Sequence, residues 1–338
     1  MHVTKLDSGI ISQASLTTVI NALVTSAGRS RAAPLHAEKI VERMESNKDP
    51  AMRPDAITYT SLIKCWIESG RPHAAERAEE IINCMHQRYD DGYEECKPDT
   101  ITYNVALNAL AKSGYPDSAK RAGALLDRMQ DRYYDGDADL TPTTQSFSTV
   151  IQAWARSKDP KGAMKATKLL ETMHESGNVS PNTIAYSSCI LAWRNSGARD
   201  AGTQVDALLK KMKQYEEAGV DTLKPNAIAY TTAMEAWISS RHPHALERVE
   251  AILEHMIERS LGGDGESAPT STTFNVVLKA IQNSSFPEKH EKARLVIDCM
   301  QAMARDGHRR ATPTIVTYNS VSAYHIPFDL SVTSISPH

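Results

Sequence analysis

Pro98-Asp99-Thr100-Ile101-Thr102-Tyr103-Asn104 decides the fold, because the chain repeats it. Its counterparts open at Pro54, Pro142, Pro181, Pro225, Pro269 and Pro313, so the seven prolines stand 44, 44, 39, 44, 44 and 44 residues apart. Met44, Met85, Met129, Met173, Met212, Met256 and Met300 keep nearly the same step. Each methionine closes one pattern, two aliphatics and then two variable residues, as in Ile81-Ile82-Asn83-Cys84-Met85, Leu125-Leu126-Asp127-Arg128-Met129 and Ile252-Leu253-Glu254-His255-Met256. A register held over seven copies is the mark of a repeat architecture.

The punctuation inside one copy predicts two helices. After the proline stands a residue whose side chain can cap a helix N-terminus: Asp55, Asp99, Thr143, Asn182, Asn226, Thr270 or Thr314. About twelve helical residues follow, as from Ile57 to Glu68, and then a breaker: Ser69-Gly70-Arg71-Pro72, Ser113-Gly114-Tyr115-Pro116, Ser196-Gly197 or Arg241-His242-Pro243. A second amphipathic helix runs to about three residues past the methionine, with Glu, Lys and Arg on its outer face. Neither helix can bury its apolar stripe alone, so neighbouring pairs must stack into an all-α solenoid.

Numbered from the residue after the cap, seven repeats span 13–55, 56–99, 100–143, 144–182, 183–226, 227–270 and 271–314, after a lead-in over 1–12. An eighth opens at Ile315-Val316-Thr317-Tyr318-Asn319 and dissolves at Ile326-Pro327-Phe328, so residues 315–338 read as a begun repeat with an irregular, truncated or frame-shifted tail.

Bulk properties fit this reading without sharpening it. The 338 residues are 41% apolar and 23% charged, and no run approaches the roughly 20 apolar residues of a membrane span. Cys65, Cys84, Cys96, Cys189 and Cys299 form no CxxC pair and read as reduced thiols of an intracellular protein. The start shows neither an Arg-rich transit segment nor an apolar signal core, which points to the cytosol or to a missing N-terminus. Net charge is −3, but Asp90, Asp91, Glu94, Glu95, Asp131, Asp135, Asp137 and Asp139 crowd two loop-like segments. Without those eight and the accompanying Lys97 and Arg132 the rest of the chain stands at +3, which leaves nucleic acid open as a partner. The run at 90–95 reads as a solvated loop. His242, His244 and His255 match no metal-ligand spacing. No nucleotide-binding glycine loop and no Ser/His/Asp set appears, so the sequence offers no catalytic residue, cofactor or small-molecule substrate.

Pro98-Asp99-Thr100-Ile101-Thr102-Tyr103-Asn104 and Pro313-Thr314-Ile315-Val316-Thr317-Tyr318-Asn319 resemble the opening of pentatricopeptide repeats, and the resemblance covers residues 13 to about 319. Family repeats are near 35 residues, whereas most here have 44, the surplus falling after the methionine. Tetratricopeptide repeats are the close rival. Their Trp stands early in the first helix with Gly four residues later, while Trp66, Trp154, Trp193 and Trp237 all stand at position 11 and no such Gly appears. The resemblance implies a right-handed superhelical solenoid that holds single-stranded RNA sequence-selectively, in mitochondrial or plastid RNA processing, stabilisation or translation. A protein-binding scaffold using the same concave surface is the alternative, and one arm of a longer enzyme is a third.

Position 4 is aromatic from the second repeat onward (Tyr59, Tyr103, Phe147, Tyr186, Tyr230, Phe274), and with the tryptophans seven residues later it forms one stripe, read as core. Position 5 carries small polar residues on what reads as an exposed face. The resemblance implies that position 5 and the repeat's last residue jointly read one base, in the pairs Thr17/Asp55, Thr60/Asp99, Asn104/Thr143, Ser148/Asn182, Ser187/Asn226, Thr231/Thr270 and Asn275/Thr314. Helix capping alone would explain those last residues. It would not explain why position 5 avoids Lys, Glu and Ala, the better helix formers. Ile57, Ile101, Ile184 and Ile228 at position 2 sandwich bases by the same resemblance or else pack helix to helix, and a weaker grip is expected at Gln145 and Thr272. Lys64, Lys112, Arg156, Arg194 and Lys279 decorate the first helices, where they either meet phosphates or are simply solvated. Read through the resemblance, the seven pairs spell 5′-G-G-Y-A-A-N-Y-3′.

Overall fold

A computed structural model describes residues 12–71, 73–157 and 159–322. Most of the lead-in, Pro72 of the first breaker and the tail with Ile326-Pro327-Phe328 lie outside the described residues. Those described are helical, with short 3₁₀ turns and no strand. The chain divides into two compact segments, 1–181 and 182–338.

The first segment stacks four helix pairs: α1 (Gln13–Ala27) with α2 (Ala33–Glu45), α3 (Ala56–Glu68) with α4 (Ala74–Asp90), α5 (Thr100–Ser113) with α6 (Ser118–Tyr134), and α7 (Thr144–Arg156) with α8 (Gly162–Glu175). Successive first helices α1, α3, α5 and α7 lie side by side, while α2, α4 and α6 each pack against their own first helix and the next one. The second segment repeats this with α9 (Thr183–Ser196), α10 (Ala201–Glu217), α11 (Ala227–Ser239), α12 (Ala245–Leu261), α13 (Ser271–Asn283), α14 (Lys289–Arg305) and α15 (Ile315–Ser322). Each segment is thus a solenoid stack of antiparallel helix pairs.

Local chemistry sets each boundary. The side chains of Asp55, Asp99, Thr143, Asn182, Asn226 and Thr270 each accept a bond from the backbone N–H three residues on, so every expected cap functions as one. At the other end a serine at position 14 closes the first helix. Ser26, Ser69, Ser113, Ser157, Ser196, Ser240 and Ser284 each donate Oγ–H to the carbonyl three residues earlier, satisfying an orphan acceptor.

Packing follows the expected stripe. Tyr59, Tyr103, Phe147, Tyr186, Tyr230 and Phe274 are at most 2% exposed, and the four tryptophans and seven methionines are buried with them. The outer faces of the second helices are laced by ion pairs one repeat apart, Arg121 to Glu79, Arg248 to Asp206 and Lys292 to Glu250.

The second helices differ from expectation, running five residues past the methionine in α4, α6, α10, α12 and α14. Each of these then turns on a glycine in the left-handed region, Gly92, Gly136, Gly219, Gly263 or Gly307. The next N–H reaches back five residues, as from Tyr93 to Arg88 O at 3.0 Å, which terminates the helix. Repeat 144–182, five residues shorter, has a 14-residue α8 instead of 17. The linkers are docked as well as solvated. Asp90, Asp91, Glu94 and Glu95 are exposed, but the residue two before each repeat proline from Pro98 onward is a buried plug: Cys96, Leu140, Val179, Leu223, Ser267 or Ala311. Cys96 Sγ and Ser267 Oγ donate to the carbonyls of Pro54 and Pro225, one repeat earlier.

Candidate functional site

Four of the expected reading pairs, Thr17/Asp55, Thr60/Asp99, Asn104/Thr143 and Thr231/Thr270, lie where one first helix meets the next, and a third side chain joins each of them. In repeat 56–99, Thr60 Oγ1 lies 2.8 Å from Thr102 Oγ1, at position 3 of the following repeat. Thr102 Oγ1 donates to Asp99 Oδ1 at 2.7 Å, and the same oxygen accepts the Thr102 N–H at 2.8 Å. Thr17, Thr58 and Asp55 repeat the geometry, with Thr17 Oγ1 2.8 Å from Thr58 Oγ1 and Thr58 donating to Asp55 at 2.7 Å. At the next joint Ser146 Oγ donates to Asn104 Oδ1 at 2.7 Å and accepts the Thr143 N–H at 3.1 Å, while Asn104 Nδ2 faces Thr143 Oγ1 at 3.5 Å. In the second segment Thr231 Oγ1 lies 2.8 Å from Thr273 Oγ1, itself 3.2 Å from Thr270 Oγ1. Thr314 and Thr317 are likewise 3.2 Å apart, and Asn275 Oδ1 is buried without a hydrogen-bond partner.

This geometry corrects the placing of position 5. Thr17, Thr60, Ser148 and Thr231 are buried, and Asn104, Ser187 and Asn275 half-buried, rather than on an exposed face. Closeness to the neighbouring first helix is enough to exclude Lys and Glu there, so small size at position 5 does not by itself point to a ligand. The missed residue is position 3, where Thr58, Thr102, Ser146, Thr273 and Thr317 are fully buried. Its signal was in the sequence: a hydroxyl follows three residues after each Asp or Thr cap, and Ala185 and Ala229 follow the Asn caps Asn182 and Asn226. There the cap oxygen takes the Ala185 or Ala229 N–H alone, at 2.9 and 3.0 Å.

Position 2 departs from the helix-packing reading. Ile57, Ile101, Ile184 and Ile228 are 65, 62, 54 and 70% exposed. Ala14, Gln145 and Thr272 are exposed at the same register. Among the cations Lys64, Lys112, Arg156 and Lys279 are exposed, but Arg194 is half-buried and paired with Glu235 at 3.0 Å. His242 sits edge-on to Trp237 and His255 edge-on to Tyr230, with ring centroids 5.4 and 5.7 Å apart. Among the described residues no three His, Cys, Asp or Glu side chains cluster to hold a metal, and no helix is long and apolar enough to cross a membrane.

Stacked helix pairs, each first helix capped and most of them joined to the next by a three-residue polar contact, define an α-solenoid of short helical repeats. Residues 39–113 match the family model described as pentatricopeptide repeat domain. The same repeat continues in register to Asn319, so the likeness to that family extends beyond the matched residues. No curated protein matches its sequence at a significant level. The crystal structure of the pentatricopeptide repeat protein PPR10 from maize is 22% identical, with a TM-score of 0.59 over 94% of this chain and 37% of that one. PPR10 in complex with an 18-nt psaJ RNA element is 19% identical, with a TM-score of 0.43 over 94% of this chain and 43% of that one. The chain therefore spans less than half the length of these solved chains, and at 22% identity the likeness to the first shows the fold.

Proposed function

We propose that the chain binds single-stranded RNA sequence-selectively, one base per repeat, through the side chains at position 5 and at the end of the repeat. The observation that carries the reading is the set of isoleucines at position 2. Scattered exposed apolar residues need no explanation, but the same aliphatic type more than half exposed at the same register in four repeats does. Each stands three residues from position 5 on the same helix and two from the cap, so a base resting on the isoleucine would have its edge within reach of the joint. Unstacked bases splayed from a single strand present both a face to stack and an edge to read. The reading gives Thr17/Asp55, Thr60/Asp99, Asn104/Thr143, Ser148/Asn182, Ser187/Asn226, Thr231/Thr270 and Asn275/Thr314 their base-reading role, and Lys64, Lys112, Arg156 and Lys279 the phosphates. The resemblance to the family supports transcripts of a mitochondrion or plastid as targets, and the means would be steric: covering a segment, blocking nucleases or opening a hairpin.

Selection from a random single-stranded RNA pool at a stated salt concentration tests this, because phosphate affinity depends on salt. Enrichment of 5′-G-G-Y-A-A-N-Y-3′ is the expected result. Preference for duplex, or capture of a protein with no single strand retained at low salt, overturns it in favour of a scaffold.

A further inference from the structure

We infer that position 3 of the following repeat is a specificity-determining residue, because its hydroxyl, together with the cap it serves, sets whether a reading pair faces its ligand as acceptor or donor. The inference rests on the proposed base reading and adds Thr58, Thr102 and Ser146 to it. Hydrogen-bond bookkeeping carries the argument. An ionised carboxylate only accepts, and a hydroxyl has one proton to give. At Asp99 the Thr102 proton goes to Oδ1, so toward Thr60 the Thr102 oxygen can only accept. Thr60 Oγ1 also lies 2.7 Å from Ala56 O, so its single proton is held between Ala56 O and Thr102 Oγ1. Both hydroxyl protons are then committed inward. What the pair offers outward is acceptor only: Asp99 Oδ2 and the Thr60 lone pairs. The joint at Asp55 is wired the same way, with Thr17 Oγ1 donating to Gln13 O at 3.1 Å. Such a face fits a base edge made of donors, the N1–H and N2–H₂ of guanine.

At Asn104 the wiring runs the other way. Ser146 Oγ accepts the Thr143 N–H, lies 3.0 Å from Thr143 Oγ1 and sends its proton to Asn104 Oδ1. That fixes the amide with its carbonyl inward and its NH₂ on the Thr143 side, so the pair offers a donor. A donor suits a base edge carrying a ring carbonyl, as in a pyrimidine. The direction of the chain of bonds, toward the cap at Asp99 and toward position 5 at Asn104, is set by the central hydroxyl together with the cap it serves.

The test uses the full chain and RNAs containing 5′-G-X-U-A-A-U-U-3′ with X as each of the four bases, read by fluorescence anisotropy at one fixed salt concentration. Thr102→Val removes the hydroxyl and keeps the backbone N–H that Asp99 caps. The expected result is a loss of about fivefold in the preference for X = G over X = A, the worth of one hydrogen bond. Thr102→Ser should restore that preference. A merely structural role would weaken all four RNAs alike and leave their ratio unchanged, which overturns the inference. Asp99→Asn separates the two levels. If it moves the preference toward A while Thr102→Val leaves the ratio intact, the base reading stands and the inference falls. If Asp99→Asn changes no preference, or no RNA binds, both fall. Should Thr102→Val fail to fold by circular dichroism, Ser146→Ala decides instead: it frees the Asn104 amide to turn over, and the pyrimidine preference at the third base should widen to include A. An unchanged third base overturns the inference.

Discussion

The indole of Trp237 rests on the backbone of Gly202, one helix earlier in the stack, and leaves no room there for a Cβ. Elsewhere in a helix Gly→Ala gains about 0.5–1 kcal/mol, because alanine loses less backbone entropy on folding. At Gly202 the packed ring and both helices would have to give, so Gly202→Ala should lose about 1–3 kcal/mol. Gly123 is the control. Its added Cβ would meet Trp154 at an ordinary 3.7 Å, so Gly123→Ala should be neutral or stabilising. Urea denaturation of the two variants checks this, and equal effects would show that the Trp237 contact is not tight. Trp193→Ala, at a buried tryptophan, should cost roughly 3–5 kcal/mol by the same measurement.

Replacing Ile57 and Ile101 by alanine separates ligand contact from core packing. Both side chains are more than 60% exposed, so each single change should leave stability within about 0.5 kcal/mol. RNA affinity should nonetheless fall, by roughly tenfold for the pair if each contact is worth near half of 1.4 kcal/mol. Unchanged affinity in a filter-binding assay would remove the stripe from the interface.

The cations divide by their partners. Lys64→Gln, Lys112→Gln, Arg156→Gln and Lys279→Gln should each flatten the plot of log affinity against log salt by about 0.7 if the residue neutralises one phosphate. Arg194→Gln should not flatten it, because that guanidinium already faces Glu235 at 3.0 Å. A slope change at Arg194 equal to that at Lys64 would mean the ion pair opens on binding.

His86 supplies a pH dependence. Its Nε2 lies 2.7 Å from Tyr103 Oη, and burial, then the Arg132 and Arg128 guanidinium groups, push its pKa down to about 4. The unfolded chain takes up that proton near pH 6.5 and the folded chain only near 4. The unfolded state therefore binds more protons between these values, and stability is lost as pH falls through the window. The contribution is on the order of 2–3 kcal/mol at full extent. Thermal unfolding of His86→Gln should show a shallower loss of Tm between pH 6.5 and 4.5 than the parent chain. Parallel curves would assign the loss to other groups.

Much of the fold was legible because its causes are local. A cap such as Asp99 sits three residues from the N–H it satisfies, and a closing serine such as Ser69 three from its carbonyl. The repeat spacing then made one boundary argument serve seven times, and the burial of Tyr103, Trp154 and Met129 followed from helical periodicity. The longer second helices were legible too, in a glycine seven residues after five of the methionines.

The site was less legible. Sequence alone fixed which residues cap each helix and placed Thr60 one turn into its own. It could not show that Thr60 is buried against Thr102, 42 residues away. Nor could it show that Ile101 stands in solvent while Tyr103, two positions on, is wholly covered. Exposure and hydrogen-bond direction at these positions depend on how closely one first helix approaches the next. That distance depends on packing across repeats, such as the Trp237 indole against the bare backbone of Gly202, so only the tertiary structure decided it.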